Sequence, residues 1–502
     1  MSQIIPQRTI AIIGAGIAGL ATGCYAQMNG YDTQIFELHD KPGGLCTSWK
    51  RKGYTIDGCL HWLVGSREGS ATNQIWRELG AVQGREMVDH DEFIRYEGAG
   101  GKTFMLYTDI DRLERHLLEL APADAREIGK LCRLMRRFTR MDEAMSGASI
   151  KMLPFLPAMI RYSRLSLKKY ANRFSDPFLR EAFGSLFDLP DFPMIGMLMT
   201  LAWMHNRDAG YPIGGSLAFS QAIEQRYLKL GGEIHYKARV ENILVESDVG
   251  GGDRAAGVRL ADGSGHGADI VVSAADGYAT IFKMLAGKYV DDTIRGYYDT
   301  MPTFAPIIQV SLGVNRDLSA EPHSVSFPLR DPVRIAEADR PRLSYRHLAY
   351  DPTQVPEGKS VIEVMIDSDY GYWKALAEDD ERYESEKKDV AIKVMGELEQ
   401  RLPGIEGQVE MVDVATPLTY ERYTGNWKGS MEGWLITTKT AGMAVGRGMR
   451  KTLPGLRDFH MVGQWVVPGG GVPTSAMGGR SLVQKLCRAD GKEFVTAEPA
   501  TN

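Results

Sequence analysis

Two periodicities organise the chain. Short apolar runs of strand type (Thr9-Ile-Ala-Ile-Ile13, Thr33-Gln-Ile-Phe-Glu37, Ala268-Asp-Ile-Val-Val-Ser273, Phe459-His-Met-Val462) are separated by stretches whose apolar positions recur every three or four residues. The first run enters Gly14-x-Gly16-x-x-Gly19, and the pattern over 8–60 predicts strand, helix, strand, then the glycine loop Lys41-Pro-Gly-Gly44 and a hairpin-like Gly53-Tyr-Thr-Ile-Asp57. Leu113, Leu117, Leu120, Ile128, Leu131, Leu134, Met135 and Phe138 predict helices between 110 and 175, and residues 183–205 are apolar and Met-rich. Tyr211-Pro-Ile-Gly-Gly-Ser216 signals a turn before a helix, Leu217 to Leu230, stopped by Gly231-Gly232. Strands are predicted at Glu233–Tyr236, Val240–Glu246 and Ala255–Leu260, with Gly250-Gly-Gly252 in a hairpin turn, and Ala268–Ser273 reads as a buried parallel strand. Residues 301–415 alternate strands such as Ile307–Val314 and Val361–Ile366 with one charged helix, 379–401. The chain ends in strand, the loop Gly463–Gly471, a helix to Cys487, and a tail, 491–502, expected to be disordered.

Nucleotide-domain-like pieces therefore recur near 8–60, 212–275 and 455–488. The predicted fold class is α/β, with a Rossmann-type dinucleotide domain that is discontinuous in sequence (1–85, 212–300, 415–490). The pieces between (86–211 and 301–414) are expected to form an α+β substrate domain of sheet plus helices.

The glycine motif carries the first chemistry. Gly14 permits a sharp turn, Gly16 lets a pyrophosphate approach the backbone, and Gly19 lets the helix pack on the strand. The helix N-terminus then faces the phosphates. Glu37, 18 residues past Gly19, stands where a carboxylate accepts bonds from ribose hydroxyls. No second motif of this kind follows a strand, so one tightly held dinucleotide is expected. The Gly43-Gly44 pair, six residues after Glu37, favours FAD over NAD.

Composition narrows the class. Hydrophobic residues at 43% and charged at 25% are ordinary for a globular protein, and a net charge of −5 gives no reason to expect a nucleic-acid partner. Five scattered cysteines without a C-x-x-C pair read as reduced thiols, and no metal-ligand spacing occurs. Neither a cleaved signal nor a spanning segment is expected, so the expected setting is cytoplasmic. The charge is uneven: 126–173 holds twelve Lys/Arg against Glu127, Asp142 and Glu143, a net +9.

Gly14-Ala-Gly-Ile-Ala-Gly19, Glu37 and Lys41-Pro-Gly-Gly-Leu45 resemble the start of the phytoene desaturase superfamily, with its carotenoid isomerases and retinol saturases. The resemblance runs on through Gly53–Gly58, Tyr211–Gly215, Thr416-Pro-Leu-Thr-Tyr-Glu-Arg-Tyr423, Val462–Pro473 and Met477-Gly-Gly-Arg480. The segment Gly58-Cys-Leu-His-Trp-Leu-Val-Gly65 is most similar to retinol saturases and their bacterial relatives. The resemblance implies that Gly14, Ala15, Gly16, Ala18 and Gly19 wrap the pyrophosphate of FAD, that Glu37 and Leu38 hold the adenosine ribose, and that Gly43, Gly44 and Leu45 pass near the cofactor. It places Val240 at the adenine through its backbone. Gly463, Gln464, Gly471, Val472 and Pro473 would close over the ribityl chain and ring, with the following helix aimed at the flavin N1/O2 edge. Leu45 stands where many relatives carry Arg or Ser.

His61 is a candidate beside the reacting ring, with a packed structural role as the alternative. Tyr420 and Arg422 are candidate pocket residues or bridges between domains, Asp276 a helix cap, and Trp465 a candidate border of the flavin. The Met-rich run is expected either to line a tunnel or to fill core. Arg133, Arg136, Arg137 and Arg140 on one helical face, with the apolar 152–160 beside Arg161, Arg164, Lys168 and Lys169, suit an anionic membrane surface; a solvated face is the alternative. The expected activity is FAD-dependent desaturation, saturation or isomerisation of an apolar polyene or isoprenoid, with oxygen, a quinone or NAD(P)H as electron partner. Oxidation of a C–N bond, as in amine oxidases, and flavin binding without turnover are the alternatives.

Overall fold

The computed structural model describes residues 7–141, 149–187, 189, 191–247, 252–445 and 448–499; Asp142, Glu143 and most of the expected turn at Gly250-Gly-Gly252 lie outside them. Strand β1 (Thr9–Ile13) runs into helix α1 (Ile17–Met28), and β2 (Asp32–Phe36) pairs parallel with β1. Far along the chain come α2 (Gly215–Lys229), β3 (Glu233–His235), β4 (Ile270–Ser273), β5 (Phe459–Met461) and α3 (Val472–Ala489). The five strands form one parallel sheet in the order β3-β2-β1-β4-β5. Helices cover its faces, which is why β1 and β4 are almost continuously apolar and buried. Its helices sit close: a Cβ on Gly479 of α3 would stand 2.8 Å from the Thr22 nitrogen of α1.

A second, seven-stranded sheet takes 409–415, 307–314, 360–367, 338–347, 324–335, 92–97 and 103–107 in that spatial order. It is antiparallel apart from the parallel pair of 324–335 with 92–97. The charged helix Asp380–Arg401 covers it through Val390, Val394 and Leu398. Strands 92–97 and 103–107 lead into a helical unit (Ile110–Leu120, Ala125–Phe138, Leu156–Ser163, Met194–His205) with its own core. Met194, Met197, Leu198 and Leu201 of the Met-rich run fill that core.

Three expectations are corrected. The tail is tied down as far as residue 499: Phe494 packs on the core cluster beneath α1, Val495 exchanges two backbone bonds with the Asn29 side chain (2.8 and 2.9 Å), and Glu498 meets Arg77 at 2.8 Å. The basic face is partly neutralised, because Arg136 is held by Asp111 and Glu114 and Lys130 by Glu127. Arg140 lies beyond the end of its helix at Phe138.

One buried carboxylate joins the parts. Asp57 ends the strand Tyr54–Asp57 and accepts from the Ser216 backbone at the start of α2 (2.7 Å), from the Ser216 hydroxyl, and from the N–H groups of Cys59 (2.9 Å) and Leu60 (3.1 Å). Gly215 makes this approach possible: its φ is +64°, and a Cβ there would lie 2.4 Å from the Asp57 carboxylate. The Asp57 backbone is gripped from the other sheet: its N–H donates to Glu363 (3.1 Å) and its carbonyl accepts from Gln309 (3.1 Å).

Candidate functional site

Gly14 and Gly16 of the first loop, Ala18 of α1, Glu37 and Leu38 after β2, Gly43, Gly44 and Leu45, and Gly463, Gln464, Gly471 and Val472 line a single cavity with about 870 Å³ of empty space, mouth included. The sequence scatters these residues over more than 450 positions; the parallel sheet gathers them at the C-terminal ends of β1, β2 and β5. The glycine spacing has a steric cause. A Cβ on Gly19 would sit 2.0 Å from the Gly14 carbonyl oxygen. Gly43 lies across the loop, donating to the Ala15 carbonyl at 2.9 Å with φ +109°, and a Cβ there would meet the Cys46 carbonyl at 2.1 Å. Ala15, Gly19 and Pro473 shape the wall without lining it. Ala15 donates its N–H to Glu37 (2.6 Å), and Pro473 occupies the first turn of α3.

The donor set fits a dinucleotide. The N-cap residues of α1 and α3 are Gly16 and Gly471, and neither helix has a side-chain cap, so the first N–H groups of both helices stand open to a ligand at the cavity. The Glu37 carboxylate is buried and held by the Ala15 and His39 N–H groups (2.6 and 2.9 Å); burial pushes its pKa up, and these bonds oppose the rise. An FAD would lay its pyrophosphate on α1, its ribose on Glu37 and its ring at the α3 N-terminus.

Three further residues line the cavity: Asp276 and Trp465, both singled out in the sequence, and Glu432, which carried no sequence signal. Asp276 caps as expected, accepting from Ala279 (2.6 Å), but its other oxygen accepts from the Trp427 backbone (2.8 Å), and burial lifts its pKa to about 7. Trp465 lines the cavity with its indole N–H on Asn426 (3.2 Å). Glu432 brings a third carboxyl into the wall, after Glu37 and Asp276, and desolvation lifts it to about 7.

His61 is placed elsewhere. It lines a second cavity, with about 750 Å³ of empty space, mouth included, together with Trp62, Phe93, Ile94, Leu186 and Met204. Cys59 lines the first cavity, so the short segment Cys59–Trp62 walls both. Tyr420 reaches neither: it is buried, its hydroxyl donates to Gln309 (2.6 Å), and it ties the helix Pro417–Thr424 to the second sheet. Arg422 is exposed on that helix, stacked over Tyr423, and is corrected from a pocket residue to a surface one. Val240 does not line the cavity but begins the strand Val240–Ser247, two residues past Ala238, whose N–H donates to the Glu37 carbonyl (2.8 Å).

The raised carboxyl of Glu432 has a sign. Its folded pKa exceeds 4.5, so the folded protein holds the proton more tightly than the unfolded chain. That contribution to stability is complete below the unfolded value and is lost as pH rises through about 7. In thermal melts between about pH 5 and pH 8, the stability of the parent protein relative to Glu432→Gln therefore falls as pH rises; a constant difference contradicts this placement.

A family model described as flavin containing amine oxidoreductase matches residues 17–415. A prolycopene isomerase of Daucus carota is 24% identical over 96% of this chain and 80% of its own length. A lycopene-forming phytoene desaturase of a Paracoccus species is 26% identical over 93% of this chain and 94% of its own. A solved oxidoreductase from Methanosarcina mazei shares the fold, with TM-score 0.60 at 17% identity over 95% of this chain and all of that one. The glycine-walled cavity and these likenesses lead to one conclusion: the chain belongs to the flavin containing amine oxidoreductase family, in the superfamily of phytoene desaturases, carotenoid isomerases and retinol saturases, and is an FAD-dependent oxidoreductase.

Proposed function

We propose that this enzyme acts on carbon–carbon bonds of a polyene by desaturation, saturation or cis–trans isomerisation. The observation that carries the reading is the shared wall at Cys59–Trp62, which sets a chamber rich in apolar side chains (Trp62, Phe93, Ile94, Leu186, Met204) directly beside the cofactor cavity. Relatives whose names record action on phytoene and prolycopene support it, since each aligns with more than nine-tenths of the chain.

FAD, when bound, supplies the hydride chemistry. The chain supplies the rest. The α1 and α3 N-termini orient the cofactor, and the α3 dipole favours negative charge at the ring edge it faces. Trp465 and Leu45 shed water from the cavity. Glu432, half-protonated near neutrality, can hold or release a proton at its carboxyl oxygens.

The family name favours one second reading, oxidation of a C–N bond. Anaerobic mixing separates the two. Polyenes are expected to bleach the oxidised flavin, reoxidise the pre-reduced flavin, or change geometry on the pre-reduced enzyme, while primary and secondary amines leave the flavin spectrum unchanged. Bleaching by amines alone sinks the polyene reading.

Delivery of such a substrate suits contact with a lipid surface. Leu153, Leu156 and Ile160 are exposed large apolar side chains on and before the helix Leu156–Ser163, with Lys151, Arg161, Arg164, Lys168 and Lys169 exposed around them. Each cation near an anionic surface contributes about 1 kcal/mol. Leu156→Glu with Ile160→Glu is expected to abolish most co-sedimentation with phosphatidylserine-containing vesicles; undiminished binding removes this patch from the account.

A further inference from the structure

Two of the scattered cysteines are brought together by the hairpin between them. Strands Ser48–Arg51 and Tyr54–Asp57 pair antiparallel, with Ser48 opposite Asp57. The pairing runs one step further, because the Gly58 N–H donates to the Thr47 carbonyl at 2.9 Å. The step after that sets Cys46 opposite Cys59. Antiparallel pairs alternate between those that exchange backbone bonds and those that do not, and the second kind holds its side chains closer, with Cα atoms about 4.5 Å apart. Cys46 and Cys59 are of the second kind. The Cys46 N–H donates to the Gly43 carbonyl (3.0 Å) and the Cys59 N–H to the Asp57 carboxylate (2.9 Å), so neither is spent on the other. The two thiols meet in a hydrogen bond.

Both residues line the first cavity, beside Gly43, Gly44 and Leu45. Cys46 is buried, with its Sγ 3.7 Å from the Ser216 carbonyl and its own carbonyl accepting from the Ser220 hydroxyl (2.5 Å). Cys59 is half-buried at the wall. Cys24, Cys132 and Cys487 are buried and line neither cavity. A cross-strand Cα separation of about 4.5 Å lies within the range of about 4.4–6.8 Å that a disulfide spans. The backbone bonds on either side already hold both residues in place, so closing the bond asks for side-chain rotation and little else. Contact with Cys46, and then burial, push the Cys59 thiol well above its ordinary range. A thiol held protonated is a poor nucleophile toward reagents from solution. An electron acceptor seated in the same cavity is under no such restriction of access.

We propose that Cys46 and Cys59 are a dithiol–disulfide couple that exchanges two electrons with the flavin, which gives the chain a second redox centre inside its cofactor cavity. In one direction two S–H bonds break, one S–S bond forms, and two electrons and two protons pass to the oxidised flavin. In the other, the disulfide takes two electrons and two protons from the reduced flavin and returns to two thiols. One electron pair is thereby held in reserve between visits of an outside electron partner. The inference rests on FAD binding and is independent of the polyene reading.

The test therefore needs no substrate. FAD-loaded enzyme is reduced with dithionite under anaerobic conditions, freed of the excess, and titrated with ferricyanide, a one-electron oxidant. The parent enzyme is expected to consume about four ferricyanide per flavin, two for the ring and two for the thiols. Alkylation after unfolding, followed by peptide mass mapping, is expected to find Cys46 and Cys59 unlabelled and joined in one cross-linked pair. Cys46→Ser and Cys59→Ser, made separately, are each expected to consume about two. The same titration of protein stripped of FAD is expected to leave both thiols free to alkylate. Consumption of about two by the parent with both thiols still labelled overturns the couple. Disulfide formation that is equally fast without FAD overturns its link to the flavin. The thiol map of the parent enzyme decides the matter even where a serine variant fails to hold FAD.

Discussion

Asp57, its carboxylate closed off from solvent and bonded to the start of α2 while its backbone is bonded to the second sheet, is the constraint on which the two cavities depend. Its oxygens take the Ser216 N–H and hydroxyl at the start of α2 and the N–H groups of Cys59 and Leu60, while its backbone is held by Glu363 and Gln309 of the second sheet. A buried carboxylate is costly unless its lone pairs are met, and four donors meet these. The result is a fixed start to the segment Cys59–Trp62, the wall between the two cavities. Two sequence motifs far apart, Gly53–Gly58 and Tyr211–Gly215, thus serve a single joint, and Gly215 is glycine because the carboxylate occupies the space of its Cβ.

The same carboxylate network reaches the second cavity. Glu363 accepts from the Asp57 backbone on one oxygen and from Arg346, which lines that cavity, on the other, and Gln309, beside it, accepts from Tyr420. Removing Tyr420 would therefore loosen the joint without touching a ligand. The first cavity is built differently: backbone groups, glycine surfaces and two uncapped helix ends make up much of its wall, which tolerates great change in side chains so long as the glycines stay. That is consistent with relatives near one-quarter identity aligned along nearly the whole chain.

The cofactor end of the site was legible because its chemistry is local. A strand, three glycines and Glu37 at a fixed distance state a dinucleotide loop in adjacent residues, and Gly463–Pro473 repeats that economy at the other end. Asp276 was readable as a cap for the same reason. What was not legible depends on burial and on distant chain. Glu432 has no motif, and its character comes from desolvation inside the assembled cavity. Cys46 and Cys59 have no paired-cysteine spacing and meet only once the hairpin between them forms. His61 was a candidate beside the reacting ring or a packed structural residue; the turn after Asp57 sends Cys59 to the first cavity and His61 to the adjoining one. The tail was expected to be disordered as a chain end, and contacts made by Phe494 and by the Asn29 amide, distant in sequence, tie it down.

The joint at Asp57 is tested most directly by hydrogen exchange at the amides that donate to it. The N–H groups of Cys59, Leu60 and Ser216 are expected to exchange as slowly as the core strands in the native enzyme, and in Asp57→Ala to speed up together, with faster exchange spreading through Trp62 and flavin content falling. Fast exchange at these three amides in the parent protein, or slow exchange retained after Asp57→Ala, would contradict the account.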